Sequence, residues 1–444
     1  MTSPALRARI LVMIALVTAG EAIFLLPFVF GRLFRPTVLD VFGVSNLELG
    51  LVYSVYGFVA MGAYFAGGPL ADRFSARRLM AVALLATGIG GIGLATVHSL
   101  EILWVLYAWW GITTILLFWA ALIRATRQWG GADEQGRAYG LLDGGRGLVA
   151  ALFASGMLAL FSVMLPQDPA TATLEQRTLA LERMIWTVTG FTVLVAVMVL
   201  RWVPDGASSG GAERCSEASG RADRSATAGG HGDRSSSGSS RPRWSLDDVL
   251  AVLRLPVVWL QSIIVVCAYV GFKSIDNISL YARDAFGYDD VAAAQLGTVA
   301  FWVRPFAAVI AGLLADRTRA SSMIIVSFVV LIAGNVVLAS GMIPGDLAVV
   351  LMLTVAVTCL GIYGARGLYF ALLGEGRVPM ARTGTAVGVV SLLGYTPDVF
   401  MGPLMGWLTD RSPGALGHQH VYAMVAAFGV AGLLGTILFR RAIR

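Results

Sequence analysis

The sequence predicts an all-α membrane protein with twelve transmembrane helices in two pseudo-symmetric halves of six. Three observations carry that expectation. Of 444 residues, 57% are hydrophobic and only 14% charged, with a mean hydropathy of +0.74, whereas a water-soluble domain carries about 25% charged residues. Twelve apolar runs each suffice for the roughly 20-residue helix that a bilayer core of about 30 Å demands. A short motif also recurs at equivalent places in the two halves. This composition excludes a soluble enzyme, a disordered chain and a nucleic-acid binder.

Spans are expected at 10–31, 47–69, 79–97, 102–123, 138–163 and 184–203, then at 256–280, 291–312, 321–342, 347–372, 384–408 and 421–439. The runs are too long for strands and do not alternate, and backbone groups in lipid must bond within their own segment. The first run is longer than the 7–15 apolar residues of a signal peptide, so it reads as an uncleaved span. With both termini cytoplasmic, 23 basic residues fall on the inner side. Six (Arg32, Arg35, Arg177, Arg183, Arg283, Arg411) fall in outer loops and four inside spans, in accord with the positive-inside rule. The net charge of +6 therefore reports topology and not a nucleic-acid partner.

Residues 204–243 are rich in Ser, Gly, Ala and Arg and bury too little apolar area to order themselves. They divide an N-terminal bundle (1–203) from a C-terminal one (244–444). Ser245, with an acid three residues on, marks the start of a short interfacial helix. After the second span runs Gly68-Pro69-Leu70-Ala71-Asp72-Arg73. After the eighth runs Gly312-Leu313-Leu314-Ala315-Asp316-Arg317. A weaker pair, Gly136 to Gly140 and Gly384 to Gly388, enters spans five and eleven. Internal repeats are the build of secondary transporters. The glycines are expected to let helices approach at the inner mouth, and the aspartates to face a helix N-terminus or an arginine.

With Arg77 and Arg78 following, this motif resembles the cytoplasmic loop signature of the major facilitator superfamily. Ser75 stands where that signature usually has glycine. The resemblance spans the chain in helix number, linker position and repeat. It implies a transporter with a central cleft and a gating role for Gly68, Asp72, Arg73, Arg77, Gly312, Asp316 and Arg317. The segment from Trp129 to Gly147 resembles the corresponding part of sugar-phosphate permeases, the organophosphate:phosphate antiporter group.

Ionisable residues inside spans are costly and usually functional. Eight are expected: Glu21, Asp143, Arg146, Lys273, Asp276, Arg304, Arg366 and Asp398, whose charges sum to zero. Spans three, six, nine and twelve hold none, apart from Arg201 at the inner end of the sixth, and are expected at the periphery. Asp143–Arg146 and Lys273–Asp276 are three residues apart and are expected to pair locally. Lys273 is the sole lysine and, unlike arginine, shifts its pKa readily when desolvated. Arg146, Lys273 and Arg304, with Asn277, Tyr53 and Tyr56, are the expected solute contacts. Glu21, Asp143, Asp276, Asp398 and Arg366 are the expected proton-coupling or charge-pair residues. All four histidines are read as loop residues. No metal cluster, nucleotide loop or nucleophile–base pair is visible, so no cofactor and no enzymatic activity is expected.

The resulting expectation is a monomeric transporter of the cell inner membrane. It moves a small anionic solute, an organophosphate or organic acid, by alternating access, with protons or phosphate as coupling ion. A carrier of a neutral sugar or drug and a transporter-like membrane sensor are the rival readings.

Overall fold

The computed structural model describes residues 4–131, 134–205, 246–344, 347–376 and 383–443. All of the expected linker but Pro204 and Asp205 lies outside them, as does the Ser245 cap, although the short helix that it was expected to start is present at Leu246–Leu253. Among the described residues twelve helices are long and apolar enough to cross a membrane, and there are no strands. They are α1 (Leu6–Leu33), α2 (Asn46–Arg73), α3 (Ala76–Thr96), α4 (Leu100–Gly130), α5 (Gln135–Met164), α6 (Leu174–Trp202), α7 (Pro256–Phe286), α8 (Asp290–Arg317), α9 (Ala320–Ala339), α10 (Ala348–Leu368), α11 (Ala386–Arg411) and α12 (Ala415–Ala442).

Several helices outrun their apolar cores. Thr173 and Gln176 form a capping box that starts α6 ten residues before the expected boundary, because satisfied N-terminal amides stabilise a helix outside oil. Arg32, Arg177, Arg183, Arg283 and Arg411, expected in outer loops, are therefore helical. Ser75, in place of the usual glycine, caps α3 by accepting from the Arg78 amide.

Backbone irregularities interrupt four of the helices. α1 carries a π-helical turn at Leu25–Val29, α4 a longer one at Ile112–Trp119, and α7 a 3-10 turn at Ile275–Asn277. In α11 the helix stops at Gly394 and restarts at Pro397, where the sequence places Tyr395-Thr396-Pro397. Non-α backbone inside a membrane is tolerated only where protein or a wet cavity receives its polar groups. The Pro27 carbonyl in the α1 turn, for instance, accepts from the Tyr107 hydroxyl at 2.7 Å.

Each half has an apolar core, the first joined by Leu280, Ala294 and Phe301 of the second half, and the halves meet where α2 packs on α11 and α5 on α8. At one end the meeting is backbone on backbone. A Cβ on Gly402 would lie 2.6 Å from the Gly50 carbonyl oxygen, and one on Gly57 would lie 2.8 Å from the Asp398 carbonyl. Asn46 Nδ2 donates to Thr409 Oγ1 at 2.7 Å, the Leu47 amide to Asp410 at 2.8 Å, and the Ser54 hydroxyl to the Val399 carbonyl. A second set of bonds crosses the same end. Asp40 binds Arg177 at 3.1 Å and Arg283 at 3.0 Å, and Arg177 reaches Asp290 at 3.0 Å. At the opposite end, where α1 begins and α12 ends, a Cβ on Gly62, Gly68, Gly144 or Gly312 would meet nothing within 4 Å. The halves are closed at one end and parted at the other.

Candidate solute cavity between the halves

Between the halves lies a cavity that opens to solvent, about 850 Å3 when the open space is counted. Its lining comes from α1, α2, α4, α5, α7, α8, α10 and α11 and from none of α3, α6, α9 and α12. The peripheral placement expected for every third span is thus observed. Aromatic walls (Phe24, Phe28, Tyr64, Trp119, Tyr269, Phe272) surround five cationic side chains, Arg32, Arg146, Lys273, Arg304 and Arg366, but only two carboxylates, Glu21 and Asp398.

The charges form two networks. In the first, Glu21 on α1 receives Arg146 from α5 at 3.3 Å and Arg304 from α8 at 3.3 Å, joining the halves at the centre. Arg304 also reaches Asp143 at 3.6 Å. The expected local pair Asp143–Arg146 is therefore replaced by cross-helix pairs. Asp143 points into the parted end with its side chain 60% exposed, while Arg146 is buried over the Phe24 and Trp119 rings.

The second network centres on Asp276, held in the 3-10 turn of α7. It receives Arg32 Nε at 2.5 Å and Lys273 Nζ at 3.1 Å, so the expected Lys273–Asp276 pair is present. Lys273 also meets Asp398 at 3.4 Å, and the Tyr269 hydroxyl donates to Asp398 at 3.0 Å. Asp276 is sealed behind the lining, whereas Asp398 faces the cavity. Arg366 differs from every other lining cation. It stacks on Phe272 with its Cζ 3.8 Å from the ring centroid, and among the described residues no ion pair engages it.

Other expected contacts lie elsewhere. Tyr56 lines the cavity and bonds Thr114 at 2.8 Å. Tyr53 is buried outside the lining, beneath Arg35. Asn277 is turned away and bonds His418. In the gating motifs Gly68 and Gly312 face open space, and the close approach is made instead at Gly67, where a Cβ would lie 3.3 Å from the Leu116 carbonyl oxygen. Arg73 and Arg317 are exposed. Arg77 pairs with Asp205 at 2.6 Å, and a Ser75 hydroxyl bond together with Arg77 and Arg78 holds the Asp205 carboxyl below its ordinary range. The side chains of Asp72 and Asp316 lie outside the described residues.

Four buried ionisable groups escape a reading by apolar runs: Arg32, Arg35, Asp290 and His418. Arg32 sits just past the first run, yet α1 continues and buries it to 6% exposure. Adding it changes the interior sum from zero to +1. His418, expected in a loop, lies in α12 with no exposed surface. Asn277 Nδ2 donates to His418 Nδ1 at 2.8 Å, so the ring proton is on Nε2, 3.0 Å from Asp284. His418→Leu strands both partners and should cost about 1–3 kcal/mol, measurable as a lower unfolding temperature in detergent.

The comparisons with known proteins agree with this architecture. The sequence matches the profile of the Major Facilitator Superfamily over residues 10–397. It is 26% identical over 407 residues to Inner membrane protein YqcE of Escherichia coli (strain K12), covering 90% of this chain and 87% of that one. The fold is similar to a bacterial homolog of the human lysosomal transporter Spinster in an inward-facing, unoccupied conformation, with TM-score 0.71, 16% identity and coverage of 100% and 98%. It is equally similar to a D-xylose-proton symporter, with TM-score 0.71, 15% identity and coverage of 98% and 97%. Twelve helices in two halves around a charged cavity, matched by a profile that spans most of the chain, lead to one conclusion: the chain belongs to the Major Facilitator Superfamily.

Proposed function

We propose that the chain is a secondary transporter that carries a small anionic solute, an organophosphate or organic acid, through the cavity by alternating access. The observation that carries this reading is the lining itself: five cations against two carboxylates. Forked guanidinium donors suit phosphate and carboxylate oxygens, and in a cavity of low dielectric a cation excess attracts an anion far more than it would in water. The aromatic walls would pack against the solute's carbon skeleton. A neutral solute leaves the excess uncompensated, which favours the anion.

The gating motifs take their place in the same cycle. Gly68 and Gly312 stand at the parted end, where a second conformation would bring the halves together. Arginine bias in the loops supports a cytoplasmic position for that end in the inner membrane.

Purified protein in proteoliposomes, offered radiolabelled inorganic phosphate, glycerol 3-phosphate, glucose 6-phosphate, gluconate and lactate, tests the reading. Uptake of at least one of them is expected; uptake of neutral sugars alone would refute it. Lys273→Met should cut that uptake by roughly 100-fold or more, as loss of a charged contact worth about 3 kcal/mol does. Folded yield should be kept, because Asp276 retains Arg32 and Asp398 retains Tyr269.

A further inference from the structure

The arginines around Arg35 each have an acid to answer them. Arg32 meets Asp276, and Arg177 and Arg283 both meet Asp40. Arg35 opens the short helix Arg35–Phe42 behind α1, is only 1% exposed, and donates from Nε to Asn46 Oδ1 at 2.8 Å. Among the described residues no carboxylate pairs with it, and nothing accepts from Nη1 or Nη2. Asp276 feels its charge, but the bonds of that carboxylate go to Arg32 and Lys273. A guanidinium enclosed with its forked end unused is costly, and in an alternating-access carrier a second conformation can use it.

Tyr53 stands between Arg35 and the cavity. Arg35 Cζ lies 5.5 Å from its ring centroid and Lys273 Nζ 5.6 Å. Of these two cations only Lys273 lines the cavity. Phe28 and Tyr107 flank the ring at centroid distances of 6.1 and 5.0 Å. Asn46 ties the same guanidinium to the seam between the halves, since its Nδ2 donates to Thr409 Oγ1 at 2.7 Å. Parting α2 from α11 breaks that bond and opens the closed end beside Arg35, with Tyr53 and then Lys273 next inward.

On the reading that the solute is an anion, we propose that Arg35 is a docking subsite separate from the central cavity, formed only when the α2–α11 seam parts. Its ligand class is a carboxylate or phosphate group, which takes Nη1 and Nη2 through two oxygens. The group then passes Tyr53 to reach Lys273. In the conformation described here Tyr53 and the closed seam shield Arg35, so a solute entering from the parted end does not touch it. The carrier therefore reads an anion with different residues from its two sides.

Equilibrium binding to purified protein in detergent, with whichever labelled anion named above is transported, tests this in two backgrounds. One is the unaltered protein. The other is Gly402→Leu, which forces the seam apart against the Gly50 carbonyl, its opening checked by thiol labelling of a cysteine beside Asn46. In the Gly402→Leu background, Arg35→Gln should raise Kd at least about tenfold, through loss of hydrogen bonds to a charged group. In the unaltered background it should change Kd by less than about twofold. Arg35→Lys keeps the charge but not the fork, and its effect should fall between. Asn46→Asp gives the guanidinium a permanent carboxylate and should also weaken binding to the opened protein alone; it decides the question if Arg35→Gln fails to fold. Equal effects in the two backgrounds, or none in either, would overturn the proposal, and a merely structural Arg35 predicts one or the other. Transport of none of those anions would instead overturn the anion-carrier reading on which the proposal rests.

Discussion

Replacing Asp276 with alanine is expected to remove transport and most of the folded protein together. Its carboxylate is the only described acid in contact with Arg32 and one of two in contact with Lys273. Arg32 is buried beside Phe272 and Phe301, and breaking a buried pair by deleting one partner costs about 3–5 kcal/mol, since the orphaned charge stays desolvated. Losing both partners at once is a different experiment. Arg32→Leu combined with Asp276→Leu should restore the thermal midpoint in detergent to near that of the unaltered protein, because hydrophobic replacement of a whole buried pair is often neutral or stabilising. Transport should remain absent in the double variant. Equal melting of Asp276→Ala and the unaltered protein would show that the pair does not hold α7 to α1.

Gly402→Leu should reverse the conformational preference. Gly402 lies against the Gly50 carbonyl across the closed end, and backbone on both sides leaves a side chain no room unless the halves separate. The Asn46–Thr409 and Leu47–Asp410 bonds would open with them. Moving a two-state carrier from about 1:99 to 99:1 takes roughly 5.5 kcal/mol, which a forced backbone clash readily supplies. Transport should fall at least about tenfold with the protein still folded, and a cysteine beside Asn46 should become reachable by an impermeant thiol reagent. A normal rate of transport would mean that the glycine contact plays no part in closure.

The fold was legible because lipid imposes a simple rule. Each crossing needs an uninterrupted apolar run, and charge inside a run must face away from lipid. That second half of the rule is enough to put α3, α6, α9 and α12 outside. The local pair Lys273–Asp276 was legible for a similar reason, since both residues lie on one α7 turn. Asp143 and Arg146 show the limit of spacing. Glu21 and Arg304, from two other helices, offer better partners than the neighbour three residues away, and no single sequence displays tertiary proximity.

Arg32 and His418 were missed because an apolar run ends before its helix does. The signal at Arg32 was the apolar sequence that resumes at Leu33 and Phe34. His418 had no comparable signal, as polar neighbours flank it and only Asn277 and Asp284 on α7 explain its burial. The repeat marks Gly68 and Gly312 as close-approach sites, yet they stand apart here. A motif that works in two conformations need not make its contact in both.

The most direct test of an enclosed wet site reached from alternate sides is a cysteine at Ala60, which lines the cavity on α2, in a background lacking Cys215, Cys267 and Cys359. Its labelling by a charged, impermeant thiol reagent would be followed in membrane vesicles of both orientations, with and without a transported anion. The prediction is rapid labelling from the side of the chain termini without solute, and labelling from the other side that appears once the anion is present. A residue sealed from both sides under every condition would contradict the transport account.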